Sequence, residues 1–165
     1  MRKKNGFTLV ELLAVIVILA VVMLVGITVI GPIMARSQKG TLGSEGLEII
    51  NAAQLAFQTE QLTAGSAIKN NSDVCFDLQW LKENNYFSKG KDEGYYGSVL
   101  VDYNDGAYTY SFWITNKTYT YKGIEKNSYS LDQAVDYTKD EETSLRNCGG
   151  KTVNVKCNEG AACIA

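Results

Sequence analysis

Phe7-Thr8-Leu9-Val10-Glu11-Leu12-Leu13, running on as AVIVILAVVMLVGITVIGPIMA to Ala35, is the stretch on which the fold turns. Leu12 to Ala35 is 24 consecutive residues without a charged side chain. As an α-helix at about 1.5 Å per residue, that run measures roughly 36 Å, more than the ~30 Å hydrocarbon thickness of a bilayer. A core helix in a chain of 165 residues rarely needs so many consecutive apolar positions. A secretory signal has a shorter apolar stretch, about 7–15 residues, followed by a small-x-small cleavage site. No such site follows here. The run is therefore expected to stay in the protein as a membrane anchor. Arg2, Lys3 and Lys4 precede it, which predicts a cytoplasmic N-terminus and places the residues after about 36 outside. Arg36 and Lys39 weaken that bias without reversing it.

Glu11 interrupts the run. A carboxylate near the edge of a bilayer costs roughly 1–3 kcal/mol, depending on depth and pairing, so an ionisable group there implies a function and a partner. Lys3 or Lys4 could reach it in the full-length chain. That pairing is lost if the basic tip is removed.

Gly6-Phe7-Thr8-Leu9-Val10-Glu11-Leu12-Leu13 resembles the G-F-T-L-x-E-L signature of type IV prepilins and pseudopilins. It combines a short basic leader ending in glycine, then Phe, then Glu four residues on, then an apolar helix. The resemblance covers about the first 36 residues. It implies that Gly6 is the last leader residue, cut by a prepilin peptidase, and that Phe7 becomes an N-methylated N-terminus. It further implies that Glu11 pairs with the N-terminal amine of a neighbouring subunit during assembly. The physics agrees: an amine and a carboxylate among packed apolar helices are each costly alone and offset one another when paired. One departure stands out. Pilins commonly carry a helix-breaking proline about one turn earlier than Pro32. Gly26, Gly31 and Pro32 predict a kink or a locally melted segment, because proline removes a helix hydrogen bond and glycine is a weak helix former.

Past the anchor, Leu42, Gly46, Ile49, Ala53 and Phe57 recur at helical spacing, with Ile50 and Ala56 widening the stripe. This predicts an amphipathic continuation over 36–64 that lays its apolar face on a sheet. Gly40, Gly43 and Gly46 predict bending. Asp77 to Tyr86 reads as one short helix. Ser98–Tyr103 and Ala107–Thr115 read as strands joined by Asn104-Asp105-Gly106, a turn that tolerates positive φ. Thr118–Lys122 reads as a third strand after an Asn116-Lys117 turn. Leu131–Tyr137 reads as a helical turn or short helix, Thr152–Cys157 as an edge strand, and Asn158-Glu159-Gly160 as a turn. The expected fold is α+β, a long N-terminal helix packed on an antiparallel meander. The expected divisions are a leader at 1–6, the anchor at 7–35, the amphipathic half at 36–64 and a head at 65–165. The aromatics Tyr108, Tyr110, Phe112, Tyr119 and Tyr121 are read as strand residues in preference to a stacking platform, because no Lys or Arg interleaves Tyr108 to Thr115.

Cys75, Cys148, Cys157 and Cys163 all fall in the expected external part, and an even count there reads as two disulfides. Spacing leaves all three pairings open. The pilin resemblance implies a Cys148–Cys163 staple of the tail, with Cys75 tying it to the region after the long helix. The cysteine spacing matches no zinc pattern and the chain has no histidine, so no metal and no cofactor are expected. The same lack excludes a Ser-His-Asp triad and a Cys-His dyad. The head also offers no Gly-rich phosphate loop. A net charge of -2 argues against nucleic-acid binding through bulk charge. Asn70-Asn71-Ser72 and Asn116-Lys117-Thr118 match the glycosylation sequon and are assigned no function.

The leading expectation is a non-enzymatic pilus subunit that forms a homopolymeric filament. Its implied partners are the prepilin peptidase, the assembly platform and its ATPase. A pseudopilin of a secretion or DNA-uptake system is the alternative within the resemblance. A membrane-anchored binding protein or enzyme is the alternative outside it. Removing the leader takes away three positive charges, leaving 13 basic against 18 acidic side chains, or -5.

Overall fold

The computed structural model describes residues 8–63, 68, 70–88 and 95–151. Helix α1 spans Leu9–Leu62. The chain divides into two compact units, Met1–Ser37 and Gln38–Ala165, and α1 passes through both.

In the first unit, α1 is apolar on every face and its side chains lie open. Leu9, Leu24 and Ile27 are 79%, 76% and 76% exposed. Helix α1 runs through Gly26, Gly31 and Pro32, the stretch where a kink or a locally melted segment is expected. Proline removes one N–H and therefore one ladder bond, and the long apolar turns on either side keep theirs.

In the second unit, the stripe on α1 is covered. Leu42, Ile49, Ile50, Ala53, Ala56 and Phe57 are buried together with Val74, Phe76, Val99, Val101, Phe112, Ile114 and Tyr121. The partner surface is a five-stranded antiparallel meander in the order β1-β2-β3-β4-β5. Its strands are Val74–Asp77, Tyr96–Asn104, Ala107–Thr115, Tyr119–Glu125 and Val135–Asp136. Asp105 and Gly106 have φ of 48° and 87°, the positive pair that a tight β2–β3 hairpin requires.

Alternate residues point the other way. Cys75, Leu100 and Trp113 meet Leu145 and Cys148 in a second, smaller core. The sheet is thus covered on both faces, by α1 on one and by the 137–150 segment on the other. That explains why β1 is buried at all four positions and shows no polar–apolar alternation. Ser98, buried in the second layer, donates to the Leu145 carbonyl at 2.6 Å and accepts from the Cys148 N–H at 2.9 Å.

Two expectations are refined here. The helix expected over Asp77–Tyr86 is α2, Leu78–Glu83, with Asp77 as its N-cap accepting from Gln79 N–H at 2.8 Å. The region Leu131–Tyr137 is a 3-10 turn, Leu131–Gln133, followed by β5. A further short helix, α3, spans Glu142–Arg146. Thr152–Cys157 and Asn158–Gly160 lie outside the described residues, as does part of the loop at 65–72.

Gly40, Gly43 and Gly46 of α1 serve packing. A Cβ on Gly43 would overlap the Tyr129 ring, and one on Gly46 would overlap the Phe112 ring. A Cβ on Gly40 would sit 3.5 Å from Leu131 Cδ2. At i, i+3 and i+6 they form a notch into which the head's aromatic residues settle, and the helix runs through them unbroken. Tyr121 stands at 5.5 Å from Tyr129 and 5.9 Å from Phe112, ring to ring. Its hydroxyl donates to the Lys39 carbonyl at 3.2 Å. Burial, followed by the hydrogen bond with Tyr129, pushes the Tyr121 phenol well above the usual tyrosine range.

Candidate functional site

The first described turn of the chain holds the acidic residue singled out above. Thr8 precedes α1, and Glu11 is the third residue of the helix. The Glu11 Oε2 accepts from the Thr8 N–H at 2.8 Å and from the Thr8 hydroxyl at 2.9 Å. The Thr8 Oγ1 accepts from the Glu11 N–H at 3.3 Å. This is a reciprocal capping box, which satisfies donors that the first turn leaves without helical partners. A carboxylate at this end also complements the helix dipole. Thr8 was not among the expected site residues. The Thr-x-x-Glu spacing is the sequence signal that points to it.

The arrangement gives Glu11 a local partner within the isolated chain, through bonds that are exposed. An incoming positive group therefore has an accessible carboxylate to meet. Gly6 and Phe7 lie outside the described residues. Gly26 and Gly31 have no atom within 4 Å of where a Cβ would stand, so neither is needed for close packing within the chain.

Behind the capping box, α1 is long and apolar enough to cross a membrane, and none of its most apolar window is covered by the rest of the chain. A core helix, by contrast, has its apolar face covered by its own chain. The uncovered surface of α1 in water is a large unfavourable exposure and calls for lipid or other helices.

The cysteines resolve in part. Cys75 in β1 is bonded to Cys148, 73 residues on, and the two are 1% and 0% exposed. The implied Cys148–Cys163 staple is thereby overturned. The reason is the period-2 alternation of β1: Cys75 faces the second core, where the turn after α3 delivers Cys148. In the chain-entropy account, closing a loop of that length stabilises by about 4 kcal/mol. Arg146 adds a second tie beside it, with its Nη2 2.9 Å from the Asp77 carboxylate. Cys157 and Cys163 lie outside the described residues.

Two further groups singled out in the sequence take packing and turn roles among the described residues. Tyr108 packs edge-on against Phe57 at 5.0 Å, and its hydroxyl accepts from the Asn71 N–H at 2.8 Å. The Asn116 side chain accepts from the N–H groups of Thr118 and Tyr119 at 3.0 and 2.9 Å, fixing the β3–β4 turn. Among the described residues, no group of three or more Cys, Asp or Glu side chains is placed to hold a metal.

Residues 1–27 match the family model described as the prokaryotic N-terminal methylation motif. No curated protein and no solved structure matches the chain. The match spans the Gly6–Phe7 junction, the Thr8–Glu11 capping box and most of the uncovered apolar run. The motif over residues 1–27 is consistent with a type IV prepilin-like N-terminus, and the α+β architecture of a long helix on an antiparallel sheet agrees with it.

Proposed function

We propose that the chain is a structural subunit of a type IV pilus. The observation that carries this reading is the methylation motif over residues 1–27. In this reading, prepilin peptidase removes residues 1–6 after Gly6, and the new Phe7 amine is N-methylated. The precursor sits in the cytoplasmic membrane through residues 7–35, with its N-terminus inside and its head outside. The assembly platform and its ATPase then draw it into a surface filament.

Residues 7–64 form the filament core and 65–165 the exposed head. Glu11 exchanges its bonds to Thr8 for the N-terminal amine of a neighbouring subunit. The exchange satisfies two charges in an apolar environment and sets the axial register. The weak points Gly26, Gly31 and Pro32, helical in the single chain, are where α1 yields if packing in the filament demands it. With Cys75 and Cys148 already bonded, Cys157 and Cys163 are left as the second pair. A pseudopilin would share all of this chemistry, and what separates the two is the abundance of the chain in a surface filament.

The test is Glu11→Val in a strain assembling the wild-type chain. Processing should continue, while filaments counted by electron microscopy and labelled against the head should fall to background. Normal filament numbers would remove Glu11 from assembly. Absence of the wild-type chain from surface filaments as a bulk component would favour the pseudopilin reading.

A further inference from the structure

The two ends of the β2–β3–β4 sheet differ in charge. Tyr96 opens β2 opposite Thr115, the last residue of β3, and β4 begins at Tyr119 after the Asn116–Thr118 turn. Tyr96, Lys117 and Tyr119 therefore share one end of the sheet. Lys39 of α1 joins them, with its Nζ 4.9 Å from the Tyr119 ring centroid. The Lys117 Nζ stands 5.1 Å from the Tyr96 ring centroid. Among the described residues, Asp136 lies across the ladder from Tyr119, and Asp132 acts on Tyr121, whose hydroxyl meets the Lys39 carbonyl. The opposite end, at the β2–β3 hairpin, carries Asp102 and Asp105.

We propose that the Lys39–Tyr96–Lys117–Tyr119 end of the sheet rests on anionic lipid headgroups while the chain is anchored in a membrane. The inference builds on the reading of the chain as a membrane-anchored precursor. Lys39 follows Ala35, the last residue of the uncharged run, by four residues. In a helix, four residues rise about 6 Å, so Lys39 reaches no further than the headgroup layer when the run fills the hydrocarbon. Lysine over tyrosine suits that layer. The ring supports the aliphatic stem, the ammonium faces outward, and tyrosine favours the boundary between water and lipid. An anionic surface attracts this end and repels the aspartates at the other, which gives the head a preferred orientation before assembly.

The experiment uses the full chain in nanodiscs of phosphatidylcholine alone or with a phosphatidylglycerol fraction. Lysine acetylation is followed residue by residue by mass spectrometry. Lys39 and Lys117 should label about fivefold more slowly in the anionic discs, while the exposed Lys139 labels equally in both. Lys117→Gln should bring the Lys39 rate back toward its value in neutral discs. Equal rates in both lipids, in a chain that inserts normally, would overturn the lipid-facing assignment alone. Protection that ignores lipid charge and rises with the number of chains per disc would also overturn it, in favour of contact with a second copy. A chain that inserts into neither disc would remove the anchored reading, and this inference with it.

Discussion

Helix α1 is one continuous element treated in two opposite ways. From Leu9 to Met34 its apolar side chains are uncovered on every face. From Leu42 to Phe57 one stripe is buried beneath a sheet, down to 0% exposure at Ile49, Ile50 and Ala53. The backbone is the same and the side chains decide. The first half has no polar face, so no single sheet could satisfy it. The second half has a stripe and a glycine notch cut to fit Tyr129 and Phe112. A helix half whose burial the chain itself supplies reads as fold, and one whose burial must come from lipid or other subunits reads as function.

That contrast predicts how the two halves answer to mutation, read as unfolding of the head in detergent-solubilised chain by Trp80 and Trp113 fluorescence. Phe57→Ala should cost about 3–5 kcal/mol, whereas Leu19→Ala should move head stability by less than about 0.5 kcal/mol. Comparable losses would mean that the first half is packed within the chain after all. Replacing Cys75 and Cys148 together by Ala should cost about 2–4 kcal/mol. Gly46→Leu, driven into the Phe112 ring, should cost about 1–3 kcal/mol, while Gly26→Ala, facing open space, should leave the head unchanged.

Two smaller effects depend on pH. The Tyr121 phenol is held above its ordinary range, so its contribution is complete below about pH 10 and is lost as pH rises toward the folded-state value. Alkaline unfolding should therefore be shallower in Tyr121→Phe than in the wild type. The Lys122 ammonium, 2.6 Å from Glu141, holds that carboxyl below the usual range. Its contribution is present above the ordinary glutamate range and is lost as pH falls through the folded-state value. The wild type and Lys122→Gln should therefore converge in stability at acid pH. The gap at neutral pH should be small, because the pair is on the surface.

Much of this was legible in the sequence, for identifiable reasons. The β2–β3 hairpin declared itself because Ala107–Thr115 alternates and Asp105-Gly106 supplies the turn. The stripe from Leu42 to Phe57 was readable because only one face is covered. Strand β1 was not, since Val74–Asp77 is buried on both faces and looks like any short apolar run. The notch at Gly40, Gly43 and Gly46 read as bending, because what fills it arrives from Phe112, Tyr129 and Leu131, far along the chain. The Cys75–Cys148 bond likewise depends on which face of β1 a residue takes, which spacing alone does not reveal. At the N-terminus, Glu11 stood out as a charge in an apolar run. Its partner Thr8 is visible only when the first turn is read for capping.

The central claim is that this chain is processed at its N-terminus, and mass spectrometry of that terminus tests it most directly. Co-expressed with a prepilin peptidase, the chain should yield a mature N-terminal peptide beginning with N-methylated Phe7. An intact peptide beginning at Met1, from a culture in which the same peptidase processes a control substrate, would contradict it.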